Sequence, residues 1–388
     1  MAFAGAPAPL LVVYQAREGF GTVALTVVFA AFPFGVMAAL FLAGHLSDRF
    51  GRVRVTGPAV LLNLLAGLVF LTWTDLEMLV LARVISGMGV GILTATATAH
   101  MTELHTVSRA AGSRQTGRRA EVVSTAANIG GIGVGMLVSG VLADTAPDPL
   151  HTPYLVLLFA MAAGLLLVTL VPETVSSVDE PWHYRPQRVV VPTESRPAYA
   201  GALVAGFVAF AMFGVFSGLS GTFLAGQLGI TSHAVAGLVA FAAFGTSAAA
   251  QVVTGRWSTT VQQRIGVASL ATGLALLVGA MLTGAPSLFV AGGMATGAGT
   301  GALFRASVGI VVALSGSRFR AEALAGLFLA SYVGMSGPIV LLGALMQVIA
   351  VSAAVLVFGS LMLALIILSM VLQPRSKHSR VEFAGSGR

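Results

Sequence analysis

The chain has 388 residues, 56% of them hydrophobic and 9% charged, with a net charge of +7 and no cysteine. Soluble domains carry roughly 25% charged residues, so this composition, with a mean hydropathy of +0.92, excludes an ordinary soluble fold and makes the chain an integral membrane protein. Its lack of cysteine excludes disulfides and thiolate metal sites, and its basic residues, scattered through short loops between apolar runs, read as topology determinants, not as a nucleic-acid surface.

A bilayer core of about 30 Å needs about 20 helical residues at about 1.5 Å each. Ahead of the first run that long, Met1 to Tyr14 is apolar but covers only about 21 Å as a helix. It carries Pro7 and Pro9 and has no basic segment before it, which argues against a cleaved signal peptide. The expectation is the remainder of a truncated first span, a short helix beginning inside the membrane. Full spans then follow at 21–44, 54–74, 77–101, 121–143, 152–172, 199–226, 233–255, 264–284, 287–314, 321–345 and 347–372. The predicted fold is all-α, nominally twelve transmembrane helices with the first one short. Residues 1–172 form one helical bundle, 173–197 a polar linker, 198–373 a second bundle and 374–388 a tail.

Alternation of the loops puts 18 of the 21 basic residues on one side, with only Arg17 in a loop on the other; Arg83 and Arg305 fall within spans. That asymmetry places the linker and the C-terminus in the cytoplasm. Arginine in place of lysine, with abundant Ala, Gly and Val, is the compositional mark of a high-GC bacterium, so the expected location is a bacterial cytoplasmic membrane.

The two halves echo each other. Gly87, Gly89 and Gly91 in the fourth span align with Gly297, Gly299 and Gly301 in the tenth, while the fifth and eleventh open with Glu121 and Glu322. Parallel repeats of this kind are a common plan for transporters. Between the second and third spans stands Gly44-His-Leu-Ser-Asp48-Arg49-Phe-Gly51-Arg52, Arg83 precedes Gly87 and Gly89 in the fourth, and Pro172-Glu173-Thr174 closes the sixth. These motifs, with their placement, resemble the major facilitator superfamily over nearly the whole chain.

The resemblance implies a cytoplasmic gate made of Gly44, Asp48, Arg49, Gly51, Arg52, Glu103 and Glu322. In that reading Asp48 pairs with an arginine and, in the outward-open state, meets the start of the eleventh span near Glu322, where a helix N-terminus favours an anion. Arg52 pairs with Glu103, and Gly51 permits the turn. Asp48→Asn is then expected to abolish transport without loss of folded protein.

Arg83 lies near one end of the fourth span, where it snorkels to the surface or finds a structural partner or, as the resemblance implies, faces the central cavity and assists coupling. Thr94 and Thr98 follow near its helical face. Arg305 lies deeper in the tenth span and is a site candidate, since the second half has no acid in the membrane interior to pair it. Asn128 belongs to a glycine-rich stretch that partly resembles the antiporter motif of the superfamily. Phe213 belongs to a series of Phe at every third position from Phe207 to Phe216 that reads either as helix contacts or as a cavity wall. His100 reads as a satisfied helix-end histidine. Gly87, Gly89, Gly91, Gly131, Gly135, Gly297 and Gly301 suit close helix packing, not a phosphate loop, because they lie inside apolar helices without a preceding strand.

No metal cluster, hydrolase motif or Walker sequence is present, so an enzyme or an ATP-driven pump is disfavoured and no cofactor is expected. The expectation is a monomeric secondary transporter in the lipid bilayer. It would work by alternating access and export a small apolar or amphiphilic substrate against a proton. A passive sugar or metabolite facilitator and a non-transporting remnant are the alternatives.

Overall fold

The structure, a computed structural model, describes residues 1–44, 46–110, 118–175, 184, 186–189, 195–315 and 319–372. His45, the arginines at 109, 114, 118 and 119, the side chain of Glu121, most of the linker and the 374–388 tail lie outside the described residues or side chains.

The helices in chain order are α1 (Ala2–Gly5), α2 (Pro7–Glu18), α3 (Thr22–Ala43), α4 (Leu46–Phe50), α5 (Arg52–Thr72), α6 (Leu76–Ala110) and α7 (Arg118–Thr125). A π-turn at Ala126–Gly130 joins α7 to α8 (Gly131–Thr145), and α9 (Thr152–Val168) closes the first half. The second half contains α10 (Arg196–Leu228), α11 (His233–Thr254), α12 (Thr259–Thr283), α13 (Pro286–Leu314), α14 (Arg320–Leu345) and α15 (Val351–Leu372). Ten of the described helical segments are long and apolar enough to cross a membrane. With every backbone polar group needing an internal partner in lipid, helices are the form these apolar runs must take.

Three of the boundaries that depart from expectation do so for identifiable reasons. The span expected at 152–172 leaves α-geometry at Val168, where Thr169, Leu170 and Val171 bond three residues back, ahead of Pro172, which disfavours helix in the residue before it. The fourth span continues from Met101 to Ala110 and carries Glu103 on the extension. The first helix continues past Tyr14 to Glu18, with a break at Ala6 between α1 and α2. Pro7 and Pro9 cannot donate to Phe3 and Gly5, and Ala6 instead donates to Phe3 in a tighter turn.

The repeat is visible in the packing. A Cβ at Gly87 would strike the carbonyl of Phe32 on α3, and one at Gly297 would strike that of Ala243 on α11. Gly91 and Gly301 repeat those contacts one turn on, against Val36 and Ser247. On the opposite side Gly89 meets Asn63 and Ala59 of α5, as Gly299 meets Gly266 and Leu270 of α12. Each half thus places a central helix, α6 or α13, between two neighbours at backbone contact. Gly131 and Gly135 do the same between α8 and the chain start at Met1 and Ala2.

Candidate functional site

The charged turn after α3 builds a buried cluster around Arg52, whose side chain is 8% exposed. Its Nη2 donates to Glu103 Oε1 at 2.6 Å, and its Nε reaches both carboxylate oxygens at 3.2 Å. Nη1 donates to Ser47 Oγ at 2.7 Å and lies 2.6 Å from Asp48 Oδ1. A planar guanidinium is suited to this forked arrangement, and a shielded charge needs such partners to offset desolvation.

Pro172, Glu173 and Thr174 complete the cluster from the far end of the first half. Glu173 Oε1 accepts from the backbone N–H of Arg52 at 2.7 Å and Oε2 from that of Val53 at 3.0 Å, so this carboxylate caps α5. Thr174 Oγ1 donates to Glu103 at 2.5 Å, and the Pro172 carbonyl lies 3.1 Å from Nε2 of buried His100. Gly51 sits under the cap at φ +103°, where a Cβ would lie 2.5 Å from Glu173 Oε2. Hydrogen bonding from Arg52 holds the Glu103 carboxyl below its usual range. Glu173 is also held low: partial burial pushes it up, but the N–H groups of Arg52, Val175, Val53 and Thr174 outweigh that.

The resemblance gives Asp48 two contacts, an arginine and the start of α14, and the described residues show the first. The pairing of Arg52 with Glu103 and the turn at Gly51 are as the resemblance implied, and a carboxylate does sit at a helix N-terminus. That carboxylate is Glu173 at α5, whereas Asp48, 66% exposed, pairs with Arg52 one turn along its own segment. Glu322 stands apart in the first turn of α14, beside Pro186, Gln187 and Arg188 of the linker, with Oε2 buried and unbonded among the described residues. Gly44 ends α3 with αR geometry, and Arg49 occupies the last turn of α4.

Arg83 does not snorkel. It is 2% exposed and turned into the first half, donating from Nη1 to the Ala4 carbonyl at 3.2 Å and from Nε to that of Val28 at 3.4 Å. Its guanidinium also lies 4.8 Å from the ring centre of Phe32 and 5.6 Å from that of Phe29. Carbonyls and ring faces thus stabilise the charge. Thr94 faces the same chain start, 4.0 Å from the Met1 sulfur.

Between the halves lies an apolar, aromatic layer. Phe213 of α10 stacks on Phe244 of α11 with ring centres 4.3 Å apart, packed with Met136 and Ile132 of α8 and Ala8 of α2. Phe210 meets Phe213 and Tyr332 edge-on. Phe216 turns away toward Phe289 inside the second half. Three-residue spacing falls about 60° short of a full turn per step, so the series winds around the helix, and Phe210 and Phe213 are its members in this layer. Asn128 lies on the π-turn beside it, partly exposed. Thr98 is exposed on α6. Arg305 is not at the layer's centre: its guanidinium rests on Gly255 at the end of α11, where a Cβ would lie 2.7 Å from Nη2.

One site was missed in the sequence. Asp144, in the last turn of α8, reaches across to the start of α11 in the other half. Its Oδ1 accepts from His233 N at 3.0 Å and lies 2.7 Å from His233 Nδ1, while Oδ2 accepts from Ser232 Oγ at 2.6 Å and Ala234 N at 2.9 Å. Ser232 also caps its own helix by accepting from Val235 N. A Ser before an apolar run is a readable N-cap signal, but the second capping group, 88 residues upstream, has no local signature.

Comparison with known proteins accords with this arrangement. The profile of the Major Facilitator Superfamily matches residues 1–193 and 202–388. Among solved structures, that of a variant of the nucleoside transporter NupG superposes with a TM-score of 0.72 at 14% identity, covering 96% of each chain. No curated protein matches. Two glycine-packed bundles, a guanidinium cluster at the turn between the second and third spans, and a family profile that runs through both halves identify the chain as belonging to the major facilitator superfamily.

Proposed function

We propose that this membrane transporter is a proton-coupled exporter of small apolar or amphiphilic compounds. It would act as a monomer by alternating access in a bacterial cytoplasmic membrane, with the linker and C-terminus inside. The observation that carries the substrate class is the layer between the halves, where Phe213, Phe244 and Met136 are buried against one another beside Phe210 and Tyr332, so that parting the halves would uncover rings and a thioether. Such a surface gains free energy by taking up apolar area and offers few groups that would recognise sugar hydroxyls. Arg83, held by carbonyls beside Phe29 and Phe32, is the coupling candidate in the first half, and the Arg52 cluster is the cytoplasmic gate.

A second reading, passive facilitation, is favoured by the position of the acids: in the second half Glu322, at the start of α14, is the one acid between residues 198 and 372. Reconstitution into proteoliposomes separates the two. Under an imposed pH gradient, a fluorescent amphiphile should move against its own gradient, and a protonophore should stop it. Equal flux with and without the pH gradient would favour the facilitator, and no flux of an amphiphile, a sugar or a nucleoside would favour the non-transporting remnant.

A further inference from the structure

The Asp144 contact differs in kind from the Arg52 cluster. Arg52, Asp48 and Glu103 belong to the first half and Glu173 to the start of the linker, so their bonds to one another do not tie one half to the other. Asp144 belongs to α8 and all four of its partner atoms to the start of α11. It therefore joins the halves directly, at the membrane face opposite Arg52.

The backbone beneath it is built for the same contact. A Cβ at Gly140, one turn below Asp144, would strike the His233 carbonyl, and a Cβ at Gly237 would lie 2.5 Å from the Met136 carbonyl. Farther toward the middle, Gly133 packs on Phe244 Cβ and Phe241. The same face is closed elsewhere by Gly343 of α14 against Thr26 of α3, and by Gly221 of α10 against Val12 of α2. Three helix pairs thus meet at close range on one face, and a four-bond carboxylate cap fixes one of them.

We infer that Asp144 and the Ser232–Ala234 start of α11 form a latch that holds this face shut and must break for the transporter to open there. This rests on the alternating-access reading above. An ionised carboxylate at a helix N-terminus gains from both the unpaired N–H groups and the helix dipole. When the halves part, those N–H groups lose the carboxylate and water takes its place. The latch therefore weights the closed form without tying the halves irreversibly.

The absence of native cysteine allows a direct test in the full chain. Paired cysteines replacing Ala146 and Thr231, on the two sides of the latch, are spin-labelled in lipid nanodiscs and their distance distribution is measured. With Asp144 intact the short distance should dominate, and Asp144→Ala should shift the ratio toward the long distance by about tenfold, within the range of helix-capping effects. Ser232→Ala, which leaves the backbone bonds in place, should shift it less. An unchanged distribution in Asp144→Ala would overturn the latch.

A second arm oxidises the same two cysteines to a disulfide in proteoliposomes. If transport stops and returns on reduction while Asp144→Ala leaves the distances unchanged, alternating access stands and the latch fails. If the disulfide-locked protein still transports, the alternating-access reading itself fails.

Discussion

Glu173 caps the helix that Gly51 opens, with Oε1 2.7 Å from the Arg52 amide nitrogen and Oε2 where a Cβ on Gly51 would have to go. The last loop of the first half therefore depends on a glycine more than a hundred residues earlier.

The pair predicts a non-additive response. Gly51→Ala places a Cβ both at φ +103° and against the carboxylate, and should cost about 2 kcal/mol or more from backbone strain and crowding. Glu173→Ala should cost about 1 kcal/mol as a lost cap. In the double variant the crowding disappears, so its loss should be smaller than the sum of the two. Thermal unfolding in detergent measures all three, and strict additivity would show that the carboxylate and the glycine do not meet.

Arg52 and Asp48 should separate stability from transport. Arg52→Lys cannot reproduce the fork that engages Glu103, Ser47 and Asp48, and should destabilise by about 1 to 3 kcal/mol. Asp48, being mostly exposed, should cost less than about 1 kcal/mol when changed to Asn. If Asp48→Asn nevertheless abolishes transport at normal folded yield, its role belongs to another state of the cycle. Unfolding midpoints and initial transport rates of both variants decide this.

Acid should weaken the Arg52 cluster in a definite direction. Glu103 and Glu173 are both depressed below their usual range, so their contribution is present above the unfolded carboxylate value of about 4.3. It is lost as pH falls through their lower folded values. Lowering the pH from neutral through about 4 should therefore reduce the unfolding midpoint, and a Glu103→Gln, Glu173→Gln double variant should show a flatter profile. A variant with the wild-type slope would assign the acid sensitivity to other groups.

Replacing Arg83 tests its buried setting. Arg83→Lys keeps the charge but loses the geometry that serves the carbonyls of Ala4 and Val28 together with the rings of Phe29 and Phe32. Arg83→Met keeps length and removes the need to stabilise a charge. If Arg83 couples transport, Met should fold as well as wild type and not transport against a gradient. If Met transports normally, the arginine is structural. Uphill transport alongside thermal stability gives the answer.

Most helices were legible because each apolar run had to be long enough for the bilayer and had to satisfy its own backbone. Local rules also reached Gly51, whose turn requires glycine, and the resemblance reached the Arg52–Glu103 pair. What they missed depends on chain path. Glu173 and Asp144 are both acids at span ends, a position that on sequence grounds means only proximity to water. Their partners lie 121 and 88 residues away, and only the assembled bundle shows which helix start each one meets. Arg83 was misread in one alternative for the same reason: the broken chain start that receives it is remote in sequence, so snorkelling looked available.

The π-turn at Ala126–Gly130, closed by the Gly131 N–H bonding five residues back to Ala126, sets the aim of everything after it. A π-turn admits one residue more than a regular helix would, and one residue is about 100° of rotation. Removing a single residue from this stretch would swing Gly133, Gly140 and Asp144 together by that angle and carry all three off the line of α11. The turn acts as a phase shifter: it sets which side of the helix the second half encounters while leaving the helix's length and apolarity intact.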